Sequence, residues 1–171
     1  VNAGGVGNDF SVLVYENPQD VNLERFQRGV KTVSAAIVQS GAIPVWASAP
    51  IFDRFYSHPN WAAYNLDSIR VAYNAWLKQY CDDNGYGFID ADAEFAYDPT
   101  DKHLKSPITG ETYTIADKVH LNEAGTDRLG FLVKQEIDSL LAGDVGVLSF
   151  ESAAMTATDN SQHCINVSRS G

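Results

Sequence analysis

The chain has 171 residues, room for one hydrophobic core and a small appendage. Its hydrophobic fraction of 44% and charged fraction of 20% are those of a globular protein, which sets disorder aside. A formal charge of -10 with no basic run excludes a nucleic-acid partner, because phosphate binding needs clustered Lys and Arg. No apolar stretch approaches the roughly 20 residues that span a bilayer, so no membrane span is expected. Two cysteines, Cys81 and Cys164, suit neither a disulfide framework nor a zinc cluster. The chain does not open on Met, and no signal peptide is expected in it. The opening Val1-Asn2-Ala3-Gly4 reads like the end of a buried strand, so the N-terminus is expected to be cut from something longer.

The first helix is predicted from about Pro18 to Ser40. Leu23, Phe26, Val30, Val33 and Ile37 form one apolar stripe, and Gly41 stands where a C-cap is expected. Ala42-Ile43-Pro44-Val45-Trp46-Ala47 follows as a short buried strand with its Pro near the start. An aromatic loop comes next, with Phe52, Phe55, Tyr56 and Trp61. Asn65 and Asp67 are candidate caps of a second helix that buries Ile69, Tyr73, Trp76, Leu77 and Tyr80 and stops at Asn84-Gly85. Phe88-Ile89-Asp90 reads as a brief strand, followed by a polar loop marked by Pro and Gly. A third helix starts near Glu123, carries Leu129, Leu132, Val133, Ile137 and Leu140, and ends at Gly143. This alternation with short connections predicts an α/β domain over residues 1–143, a parallel sheet covered by helices on both faces.

From residue 144 the texture changes. Val147-Leu148-Ser149-Phe150 and Cys164-Ile165-Asn166-Val167-Ser168 alternate apolar with polar residues, as half-buried antiparallel strands do. Residues 144–171 are therefore expected to begin an all-β module. Asn166-Val167-Ser168 also fits a glycosylation sequon.

Two segments carry candidate chemistry, both in loops beyond predicted strands, where open parallel sheets place their ligand sites. The first is Gly4-Gly5-Val6-Gly7-Asn8-Asp9. Its glycines allow a sharp turn and close approach of a substrate, and Asn8 either supplies turn chemistry or points its amide at a developing oxyanion. The second is Asp117-Lys118-Val119-His120-Leu121-Asn122-Glu123-Ala124-Gly125. An Asp three residues before a His lies on the same side of one tight turn. It either caps that turn while the His packs on the next helix, or it accepts Nδ1–H and leaves Nε2 to take a serine proton.

Other candidates are weaker. Ser48 ends a strand but lacks a G-x-S-x-G elbow and reads as a small residue for close packing. His58 and His103 stand near Asp53 and Asp101, yet the spacings match no metal-ligand pattern. The loop aromatics line either an acyl or sugar pocket or a satellite hydrophobic cluster.

An Asn after an early strand and a D-x-x-H-L before the last helix of an α/β domain, in that order, resemble the SGNH/GDSL hydrolase family, whose third and fifth sequence blocks these segments match. The likeness covers roughly residues 1–142, with Ala42 to Pro50 and Gly87 to Asp90 as intervening strands. It implies a three-layer α/β/α, flavodoxin-like sheet. It also implies an oxyanion donor at Asn8, a general base at His120 and an orienting carboxylate at Asp117.

The sequence departs from the family at three points. Val6 stands where the third block opens with Gly, the G-D-S first block is absent, and so is the second-block Gly. Gly143-Asp144-Val145 is no substitute, since it follows a helix and Val cannot attack a carbonyl. The expected activity is hydrolysis of small acyl esters, acetylated carbohydrate or lipid through an acyl-serine, with no cofactor or metal. The serine, and a strand completing the sheet, are expected from an upstream segment or a neighbouring chain. The tail faintly resembles a Calx-beta module, which implies a secreted or extracellular setting. The alternative is an SGNH-like structural or adhesive module with a degenerate site, in an extracellular or virion appendage.

Overall fold

The structure, a computed structural model, describes residues 23–53, 59 and 63–143. The Gly4–Asp9 loop, Asn8 within it, Phe55, Tyr56, His58, Trp61 and the 144–171 tail lie outside the described residues. In chain order the elements are α1 (Leu23–Gln39), β1 (Val45–Ala47), α2 (Leu66–Asn84), β2 (Gly87–Ile89), α3 (Ala91–Glu94), β3 (Ala96–Tyr97), β4 (Leu104–Lys105) and α4 (Glu123–Gly143).

β1 and β2 pair in parallel, Val45 with Gly87 and Ala47 with Ile89. Along a strand successive side chains face opposite ways, and this sorts the helices. Trp46 and Phe88 look to one side: the Trp46 indole N–H donates to Ser34 of α1 at 3.0 Å, and Lys78 of α2 lies over the Phe88 ring. Gly87 looks to the other, where an added Cβ would meet Glu136 and Leu140 of α4 at 3.1 Å. Helices therefore cover both faces of this pair.

α1 buries Phe26 and Val30 as its periodicity predicts, but Val33 is 42% exposed and Ser34 is fully buried in its place. The reason is the partly buried indole of Trp46, whose N–H needs an acceptor that Val cannot supply. In α2 the buried line is Leu66, Arg70, Tyr73, Leu77 and Cys81. Ile69, Trp76 and Tyr80 pack at its margin, and Trp76 stacks on Tyr80 with ring centroids 5.0 Å apart. Asn65 and Gly85, both left-handed, bracket this helix, and Gly85 returns its N–H to the Cys81 carbonyl. Burial pushes the Cys81 thiol up to about 12.

The stretch that reads as an irregular polar loop holds a small antiparallel ladder. β3 pairs with β4, and bridges join Lys105 to Thr112 and Thr114 to Leu121. Strands of two residues leave almost no periodicity to detect. The ladder brings residues 96–105 alongside 112–121 and packs Phe95 edge-on against Tyr113. α4 then begins at Glu123. Asn122 caps it, its Oδ1 accepting the Gly125 N–H at 2.9 Å while its Nδ2 donates to the Thr112 carbonyl at 2.7 Å.

Candidate active site

The turn from Ile115 to His120 leaves the ladder and returns to it. Lys118 N–H donates to Ile115 O and Ile115 N–H to His120 O, each at 2.9 Å. Within it Asp117 makes three hydrogen bonds. Oδ1 accepts the Val119 and His120 amides, both at 2.9 Å, and Oδ2 lies 2.5 Å from His120 Nδ1. The imidazole beside it, and then the two amides, hold the Asp117 carboxyl down at about 2. A carboxylate that stays ionised selects the Nδ1–H tautomer and leaves Nε2 with its lone pair. The His120 side chain is 76% exposed, and among the described residues nothing hydrogen-bonds Nε2. Such an arrangement accepts a proton from an approaching hydroxyl and returns it to a leaving group.

Asp117 and His120 are thus brought together, while Asn8 lies outside the described residues. Ser48 is 2% exposed; its Oγ accepts the Asp92 N–H at 2.8 Å and lies 3.2 Å from Asp90 Oδ1. It links the end of β1 to the start of α3 and is buried at the wall of a cleft. Arg70, 4% exposed, joins the same network through Asp67, Asp92 and the Ala49 carbonyl, at 2.8, 2.6 and 2.8 Å. Asn74 brackets Ala49, taking its N–H and giving an N–H to its carbonyl, each at 2.9 Å. A cleft of about 240 Å³ opens here beside Ser48, Asn74, Phe88 and Asp90, and neither Asp117 nor His120 lines it. Phe52 joins the core.

His103 is engaged elsewhere, its Nδ1 2.8 Å from the buried Thr114 hydroxyl. Asp53 meets the Tyr97 hydroxyl and Lys102, and Asp101 meets Lys105. Among the described residues no three His, Cys, Asp or Glu side chains gather as a metal site would require, and no helix is long and apolar enough to cross a membrane. Sequence reasoning missed Lys118, whose φ of 66° is left-handed and whose Nζ donates to the Asp101 carbonyl at 2.5 Å. Position alone offers no signal for a contact 17 residues away. Compared with known protein families, curated proteins and solved structures, the chain matches none.

Proposed function

We propose that the chain is part of a carboxylic ester hydrolase of the SGNH/GDSL type. The observation that carries this reading is the Asp117 carboxylate gripping His120 Nδ1 while Nε2 stands open to solvent. His120 takes the proton of a serine hydroxyl as its oxygen attacks the ester carbonyl. The Asn8 amide donates to the oxyanion that forms, and the imidazolium returns the proton to the departing alcohol. Water then cleaves the acyl-serine by the same route. The serine is proposed to come from an upstream segment or a neighbouring chain, and the substrate to be a small acyl ester, acetylated carbohydrate or lipid. An extracellular setting is proposed with it.

The wider three-layer sheet belongs to the same proposal. Even-numbered β1 residues face β2, since Ser48 N–H donates to Ile89 O and Gly87 N–H to Pro44 O. Val45 and Ala47 therefore turn their amides away from β2, and Ala47 is 5% exposed. Backbone groups so shielded need partners, and the segment through Val1-Asn2-Ala3 is the candidate strand.

The test is kinetic, in the parent protein. His120→Ala is expected to lose most ester hydrolysis and Asp117→Asn rather less. Asn8→Ala should lower kcat by roughly 10² to 10³ with little change in KM. Undiminished hydrolysis in His120→Ala would remove the reading.

A further inference from the structure

Three non-glycine residues with left-handed backbone occur among the described residues: Asn65, Lys102 and Lys118. Asn accepts that region readily; Lys gains nothing there to offset the clash of its Cβ. Lys118 nevertheless sits at φ 66°, directly between Asp117 and the two amides that Asp117 holds. Strain of this kind persists where surrounding contacts over-determine it, and it clusters at functional sites.

The contact that over-determines it is the ammonium. Lys118 Nζ donates to the Asp101 carbonyl at 2.5 Å. The receiving loop is itself held firmly. Asp98 Oδ1 takes the Thr100 N–H at 2.8 Å, and the Asp98 carbonyl takes the Lys102 N–H at 2.7 Å. Lys105 pairs with both Asp98 and Asp101, at 2.8 and 2.6 Å. The His120 ring, by contrast, projects into solvent with one tether, its bond to Asp117. A tether on a six-residue turn fixes the ring only as well as the turn itself is fixed.

We propose that Lys118 is a positioning residue: its ammonium, seated on the Asp101 carbonyl, clamps the 115–120 turn to the 98–105 hairpin and so fixes the direction of the His120 ring. The catalytic meaning of this clamp rests on His120 being the general base; the clamp itself is a statement of geometry.

The experiment uses the full chain with ¹⁵N-labelled histidine, and follows water exchange of the His120 Nδ1-bound proton, assigned by its absence in His120→Ala. Thermal unfolding is measured alongside. Lys118→Gly takes the left-handed backbone without cost but lacks the ammonium. Exchange should quicken about tenfold, the scale of one lost charge-assisted hydrogen bond, with Tm at or above that of the parent chain. A merely structural Lys118 would show the opposite coupling, with exchange moving only as Tm falls. Lys118→Arg restores a cationic donor and should stay within about twofold of the parent. Lys118→Asn, also tolerant of this backbone, must reproduce the Gly result.

Unchanged exchange in Lys118→Gly, or Lys118→Arg exchanging as fast as Lys118→Gly, overturns the clamp, even if His120→Ala abolishes ester hydrolysis. Faster exchange in Lys118→Gly together with ester hydrolysis that survives His120→Ala upholds the clamp and removes the hydrolase reading.

Discussion

Asp117 bonds through both oxygens at once, and its acidity records this. Its carboxyl is held at about 2, below the ordinary 3.8, by His120 first and the turn amides second. The sign follows from linkage: a depressed folded pKa stabilises the native turn fully above the ordinary value, and that contribution is lost as pH falls through about 2. Asp98 behaves alike, held at about 2 by Lys105 and the Thr100 amide. The expected result of a ¹³C-carboxyl titration is a midpoint near 2 for Asp117, moving up toward 3.8 in His120→Ala. A midpoint already near 3.8 in the parent chain would show that the grip on His120 does not exist in solution. Through neutral pH Asp117 thus stays charged, as its proposed orienting role requires.

At the scale of elements, α4 contrasts two glycines that sequence cannot tell apart. Gly125, in its first turn, lies against the ladder so closely that an added Cβ would sit 2.3 Å from the Tyr113 carbonyl oxygen. Backbone does not yield as a flexible side chain does. Gly130 has nothing within 4 Å. Gly125→Ala is expected to cost about 3 kcal/mol or more, and Gly130→Ala to stabilise by up to about 1 kcal/mol through helix propensity. Urea unfolding midpoints decide between this and a uniform response of both positions. The same helix reaches β2, where the Glu136 carboxylate accepts the Phe88 N–H at 3.0 Å. Among the described residues β2 pairs with β1 alone, and on its other side this N–H is met by a side chain.

For the whole molecule, the proposed function requires a serine nucleophile, which is proposed to come from outside residues 1–171. In that proposal Asp117 and His120 activate a serine hydroxyl that neither of them supplies. Ser48, 2% exposed and bonded within its own network, does not take that place. Residues 1–171 are therefore expected to be inactive toward p-nitrophenyl acetate, and addition of a segment that supplies the proposed serine to bring activity inhibited by serine-directed phosphonates. An acyl group trapped on a serine of the 171-residue chain would show the nucleophile to be misplaced.

What the sequence determined by itself is local. α1, α2 and α4 follow from apolar spacing, and α1 and α2 also from Gly41 and Gly85 at their ends, since these signals act within a few residues. The Asp117–His120 pair is legible for the same reason, its partners being three residues apart. Tertiary structure decided whatever pairs across long separations. Ser34 is buried because Trp46 needs an acceptor, and Arg70 because Asp92 and the Ala49 carbonyl converge on it. Glu136 reaches β2 across 48 residues, and Lys118 reaches Asp101 across 17. Val33, Val133 and Ile137 remain at least 36% exposed although their spacing marks them as apolar-face residues. A hydrophobic period says which face of a helix prefers burial, but only the elements that arrive to cover it decide how much of that face is buried.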